Sequence, residues 1–273
     1  MEDQRRNGLR PVDGGFGDAL GRIPVRAYWR LASRYARLRR DHDVDRYAAP
    51  TDPYRVIRID PDRIVRHTNR PYPPWEGTVD LCGSVAGGDW DRSSEDYRKP
   101  PRFEGRLEFE AFRAHFEEGI PWAETAYIRD KVERVEAGEK ESRYGDTLEE
   151  IVEFYREYDA LYESIASEGY RSQRELLARG EERKRFLTAI GNEVAIDVAR
   201  DGEPLFVDGS HRLSIAKLLE LDAIPVVCYY RHADWMRVRE AVHAADSPAD
   251  LDEDRRRLLA AGHFDLRDLD PRA

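Results

Sequence analysis

The stretch Phe206-Val207-Asp208-Gly209-Ser210-His211-Arg212-Leu213-Ser214-Ile215-Ala216-Lys217-Leu218-Leu219 constrains the fold more than any other part of the chain. Its order predicts a strand end, a tight turn and a helix start. Upstream, Val194-Ala195-Ile196-Asp197-Val198 alternates apolar and polar residues, as a half-buried strand does. Downstream, Leu213, Ile215, Ala216, Leu218 and Leu219 supply an apolar helix face. Ala223 to Tyr230 is a second β-rich run, with Pro225 near its start, where a missing N–H is tolerated. Asp208 and Ser210 are N-cap residue types, and Gly209 permits a sharp turn and close approach to a ligand. Free N–H groups at a helix start, with His211 and Arg212 beside them, make a place for a phosphate.

Asp208-Gly209-Ser210-His211-Arg212, followed by an apolar helix and Ile224-Pro225-Val226, resembles the nucleotide-phosphate motif of the ParB/sulfiredoxin superfamily. Leu161 to Tyr170 is similar to the helix and glycine turn that precede the central strands in ParB-type domains, so the likeness covers about residues 159–232. The resemblance implies an α/β (α+β) fold, a small mixed sheet with surrounding helices and a helical insertion over about 103–150. It also implies a bound ATP or other nucleoside triphosphate with Mg²⁺. The free-serine kinases of the superfamily carry an Asp-Gly-x-His-Arg loop. Carried over, this gives Gly209, Ser210, His211 and Arg212 on the phosphates, with Asp208 and His211 as catalytic groups. Sulfiredoxins place a cysteine directly before the histidine, where this chain has Ser210, so their activity is not expected.

The 273 residues allow one large domain with extensions. No run approaches the roughly 20 apolar residues that span a bilayer, and Met1-Glu2-Asp3-Gln4-Arg5 opens no signal peptide. A cytoplasmic protein is expected. Net charge is −10, and forty of the 45 basic residues are arginines. Acid excess with scarce lysine fits a salt-adapted cytoplasm; a GC-rich genome accounts for the arginine bias equally. The charge argues against binding nucleic acid over a broad face. Cys82 and Cys228 have no metal-type spacing and read as two small buried side chains, and no protein metal site is expected.

Along the chain, 1–21 is polar and glycine-rich, and its composition predicts disorder. Residues 22–50 read as a basic helix and a polar linker, with Tyr28, Leu31, Tyr35 and Leu38 on one helical face among arginines. That helix either packs on the main domain or lies on an anionic surface or polyanion. The main domain is expected over 51–235 and a helical tail over 236–273. Tyr54 to Asp60 alternates as a strand, and Gly83 to Arg92 is a glycine-rich loop in which Asp89 and Asp91 flank Trp90. One reading makes Asp89 or Asp91 a general base or metal ligand; the other makes them exposed turn acids. Thr147-Leu148-Glu149-Glu150 is a capping-box pattern opening a helix whose core face is Ile151, Phe154, Tyr155, Tyr158, Leu161, Tyr162 and Ile165, and Gly169 ends it. Arg171 and Arg174 follow as candidate phosphate contacts, with surface arginines as the alternative.

Three functions compete. A phosphate cradle with nearby carboxylates suits phosphoryl transfer, which needs charge neutralisation, alignment and a base for the attacking hydroxyl. A nucleotide-gated DNA-partition protein or a nuclease is the second, weakened because only a short acidic tail follows Trp235. A non-catalytic scaffold docking on a partner or membrane through the basic helix is the third. The acceptor and the nucleotide base are not legible.

Overall fold

Four runs rich in β-branched and aromatic residues and two shorter segments pair into one six-stranded mixed sheet. In the computed structural model, which describes residues 24–70, 78–92, 102–138, 144–179 and 185–269, they are β1 (Val56–Ile59), β2 (Arg66–His67), β3 (Ser84–Ala86), β4 (Val194–Val198), β5 (Pro204–Asp208) and β6 (Ile224–His232). The order is β1-β6-β4-β5-β2, with β3 also on β6. β4 runs parallel to β6, with Ala195 opposite Val227, and antiparallel to β5, with Ile196 opposite Phe206. β1 pairs antiparallel with the first half of β6, and β3 parallel with its end.

Nine helices are present among the described residues: α1 (Val25–Leu38), α2 (Leu107–Phe116), α3 (Ala126–Glu136), α4 (Leu148–Glu168), α5 (Gln173–Arg179), α6 (Phe186–Gly191), α7 (Ser210–Leu218), α8 (Ala233–Ala244) and α9 (Glu253–Ala260). None is long and apolar enough to cross a membrane. Thr147 caps α4 as expected, its Oγ1 accepting from Glu150 N at 3.2 Å; the returning Glu150 carboxylate accepts from Asp146 N at 2.8 Å instead of from the cap residue. Gly169 closes the helix at φ 79°.

Helices cover both faces of the sheet. On one, Val194, Ile196, Phe206, Val226 and Cys228 pack with Leu213 and Ile215 of α7 and with aromatic and aliphatic residues of α2, α3 and α4. On the other, Ala195, Val207, Val227 and Tyr229 pack with Trp29, Phe186, Ala189 and Ile190. This overturns the half-buried reading of β4. All five of its residues are buried, and the polar one, Asp197, receives Arg70 Nε at 2.7 Å, Arg70 Nη2 at 3.0 Å and Tyr230 N at 3.0 Å. A buried charge needs such partners.

Helix α1 is turned away from its expected face. Trp29 and Ala36 are buried, Trp29 meeting Phe186 edge-on at 4.9 Å, and Phe186 N donates to Tyr28 Oη at 3.1 Å. Leu31, Tyr35 and Leu38 are 60%, 64% and 86% exposed. The indole, larger than any residue on the expected face, sets the rotation. The expected linker also packs: Val44 and Ala49 are fully buried, and His42 Nδ1 lies 2.9 Å from the carbonyl of Cys82. Of the expected tail, Val242, Leu259, Phe264 and Leu266 join the main core. Both cysteines are free and buried, and burial pushes the Cys228 thiol up to about 12. The predicted disordered stretch 1–21 lies outside the described residues.

Candidate functional site

The turn between β5 and α7 depends on Gly209. Its φ of 88° is left-handed, and a Cβ there would lie 3.1 Å from Cα of Val194, so the turn sits directly on β4. Gly209, not Asp208 or Ser210, is the N-cap, and no side chain caps the helix. Asp208 Oδ1 accepts from Gly209 N at 2.7 Å, and the helix ladder starts with Leu213 N donating to Gly209 O at 3.0 Å. The N–H groups of Ser210, His211 and Arg212 therefore have no partner among the described residues.

An anion does stand at this helix start, and it comes from the protein itself. Glu108, in the first turn of α2, is 4% exposed. Its Oε1 accepts from Ser210 Oγ at 2.9 Å and lies 2.6 Å from His211 Nε2; its Oε2 accepts from Arg106 Nη2 at 2.9 Å. Burial alone raises this carboxyl, but His211, then Arg106 and Ser210, outweigh it and hold Glu108 well below the usual carboxylate range. The His211 ring is held between Phe112, stacked at 5.5 Å, and Tyr158 at 4.3 Å, with Tyr155 Oη 3.4 Å from Nε2. Tyr155 and Tyr127 are pushed up by burial and then by neighbouring groups including Glu108. Lys131 Nζ lies 4.8 Å from the Tyr127 ring and 4.3 Å from that of Tyr144. An imidazole, a hydroxyl and a guanidinium thus converge on one carboxylate inside an aromatic shell, and this arrangement can hold an anion.

The other residues expected at the site are dispersed. Arg212 acts on Tyr170 and Glu193: burial raises both groups, Tyr170 to about 12 and Glu193 to about 7, and Arg212 opposes it. Arg106, not singled out in the sequence, is the guanidinium on Glu108. Arg171 pairs with Glu168 at 2.5 Å, and the guanidinium of Arg174 lies 5.9 Å from the Trp29 ring, on α1. Asp91 receives Arg200 Nε at 2.8 Å and Arg200 N at 3.0 Å, and Asp89 receives Arg200 Nη2 at 2.8 Å. Burial alone raises Asp91, yet Arg200 holds it at about 2, so these acids tie the 83–92 loop to the β4–β5 turn. Trp90 donates to Ala86 O at 3.3 Å and packs beside His232. No group of three or more His, Cys, Asp or Glu that could hold a metal exists among the described residues.

Glu108, Arg106 and Tyr155 are not legible as site residues from the sequence. The signal they leave is an acid amid core aromatics (Leu107-Glu108-Phe109, then Phe112) and a core-face tyrosine whose hydroxyl needs a partner.

Glu193 yields a pH prediction. Its Oε1 accepts from Gln173 N at 2.7 Å and its Oε2 has no partner among the described residues. The folded protein holds a proton here up to about pH 7, the unfolded chain only to 4.5, so this group costs stability as pH rises across that window. Glu193→Gln keeps the acceptor and removes the ionisation. The expected gain is on the order of 3 kcal/mol above pH 7, at about 1.4 kcal/mol per pH unit, and nearly none below pH 4.5. Urea unfolding at the two pH values checks it; an equal effect at both contradicts it.

Comparison of the chain with protein-family models, with curated proteins and with solved structures gives no match.

Proposed function

We propose that the start of α7 is a phosphate site and that the protein is a phosphotransferase or NTPase of ParB/sulfiredoxin-like architecture. The observation that carries this reading is the buried carboxylate of Glu108 held by Ser210, His211 and Arg106 at a helix N-terminus. Groups that stabilise one anion stabilise another of similar size, and a phosphoryl oxygen uses the same donors. Bound here, a nucleoside triphosphate with Mg²⁺ would supply the phosphoryl group. The donor set fits a phosphate, and any metal would arrive with it. Ser210 and His211 would orient the anion, Arg106 would neutralise it, and the Glu108 carboxylate would vacate the place it holds in the free protein. Glu108, with its low proton affinity, is a poor base. Asp208, whose Oδ1 accepts from Gly209 N, would orient the loop or take the proton of an attacking hydroxyl.

Calorimetric titration of Mg-ATP and Mg-CTP, paired with phosphate release, tests the reading. The expected result is binding that weakens about tenfold or more in Ser210→Ala and in Arg106→Gln, each removing one polar partner of the anion, and changes little in Arg212→Ala. Absence of binding in folded protein at low and high salt, or equal binding in all variants, removes the nucleotide reading.

A further inference from the structure

On the opposite face of the sheet, α1 and Arg174 of α5 form a cleft of about 430 Å³ lined by Arg26, Arg30, Arg34, Arg37, Trp29 and Arg174, with Ser33 and Asp52 completing it. That volume lies in the range of small-molecule sites. Arg37 is paired with Asp45, and Asp52 Oδ1 is taken by Tyr54 N at 3.0 Å. Arg26, Arg30, Arg34 and Arg174 form no ion pair among the described residues. Most other described arginines in this acidic chain pair with carboxylates, as Arg200, Arg231 and Arg66 do. Like charges four residues apart disfavour a helix, and Arg26, Arg30 and Arg34 repeat that spacing twice. A bridging anion relieves the repulsion. From Arg26 to Arg37 the row runs about 16 Å at 1.5 Å per residue, long enough for several phosphates side by side and too short for an extended polymer.

We propose that this cleft is a binding site for a compact polyphosphorylated small molecule, held by the guanidiniums of Arg26, Arg30, Arg34 and Arg174. Guanidinium suits this role because it offers paired N–H donors to phosphate oxygens and keeps its charge at every physiological pH. The site is separate from the start of α7 and does not rest on the function proposed there.

Titration of inorganic tripolyphosphate into the full chain tests it. Arg30→Gln/Arg34→Gln should bind about a hundredfold more weakly, roughly tenfold for each charge-assisted hydrogen bond removed, and the wild-type affinity should fall steeply with salt. Both arginines are exposed and the change removes like-charge repulsion, so the variant keeps the wild-type circular dichroism and melts no lower than wild type. Arg256→Gln/Arg257→Gln, with the same charge change on α9, should bind as wild type. So should Ser210→Ala, which weakens only the α7 site, so that the two sites fail or hold independently. Equal loss in both double variants, no wild-type binding at millimolar tripolyphosphate, or capture of single-stranded RNA or anionic vesicles through these arginines without tripolyphosphate binding would each overturn the proposal.

Discussion

Asp265→Ala is expected to destabilise the protein by about 3–5 kcal/mol, the cost of breaking a buried ion pair from one side. Asp265 is fully buried and receives Arg231 Nη2 at 2.6 Å, Arg231 Nε at 2.9 Å and Trp235 Nε1 at 2.9 Å. Arg239, also fully buried, bonds the Asp265 carbonyl and reaches Asp268 at 2.9 Å. Asp268 in turn accepts from Thr51 at 2.9 Å and pairs with Arg55 at 2.8 Å. The network fastens the C-terminal segment to β6 and to the segment before β1. Burial alone raises the Asp265 carboxyl, but Arg231 and Arg239 outweigh it and hold it below the usual range. Its stabilisation is therefore complete above the unfolded value of 3.8 and is lost as pH falls below it. Urea unfolding at neutral pH measures the effect. Asp265→Ala/Arg231→Met should recover part of the loss, because the second change removes the stranded charge. A loss below about 1 kcal/mol would mean that water or rearrangement satisfies Arg231.

The second large effect is expected at Glu108. Removing it as Glu108→Ala leaves Arg106 and His211 facing an empty anion place, at a cost of about 2–3 kcal/mol. Unlike Asp265, this site should accept a replacement. Phosphate or Mg-ATP at a hundred times its dissociation constant contributes about 2.7 kcal/mol to the state that binds it. At about 2–4 °C per kcal/mol for a chain of this size, ligand should raise the variant's melting temperature by several degrees and the wild type's by much less. Both proteins keep the α1 cleft, so the difference between them reports on the α7 start alone. A variant whose melting temperature ignores phosphate would make Glu108 a structural partner of His211 and leave the cradle without a ligand.

Local chemistry makes much of this molecule legible. The turn at Gly209, the helix after it, the strands on either side, the Thr147 cap and the Gly169 stop are all encoded by residues within a few positions of one another. Turn geometry and periodicity act at that range. The alternation in β4 correctly signals a strand and misleads on its burial, because its polar member is satisfied by Arg70, which is 127 residues away. The face of α1 misleads for the same kind of reason: Phe186, 158 positions on from Tyr28, selects Trp29.

At the candidate site the division is sharper. Residues 208–212 alone encode a helix start with free N–H groups beside a histidine, and hence an attraction for anions. Which charges meet there is settled by packing. The fold brings in Glu108, 102 residues from Ser210, together with Arg106, and it sets Asp89 and Asp91 on Arg200 and Arg174 beside Trp29. A contiguous motif specifies its own backbone, whereas the partners of a buried charge are chosen by packing among distant segments, which leaves no local trace in the chain.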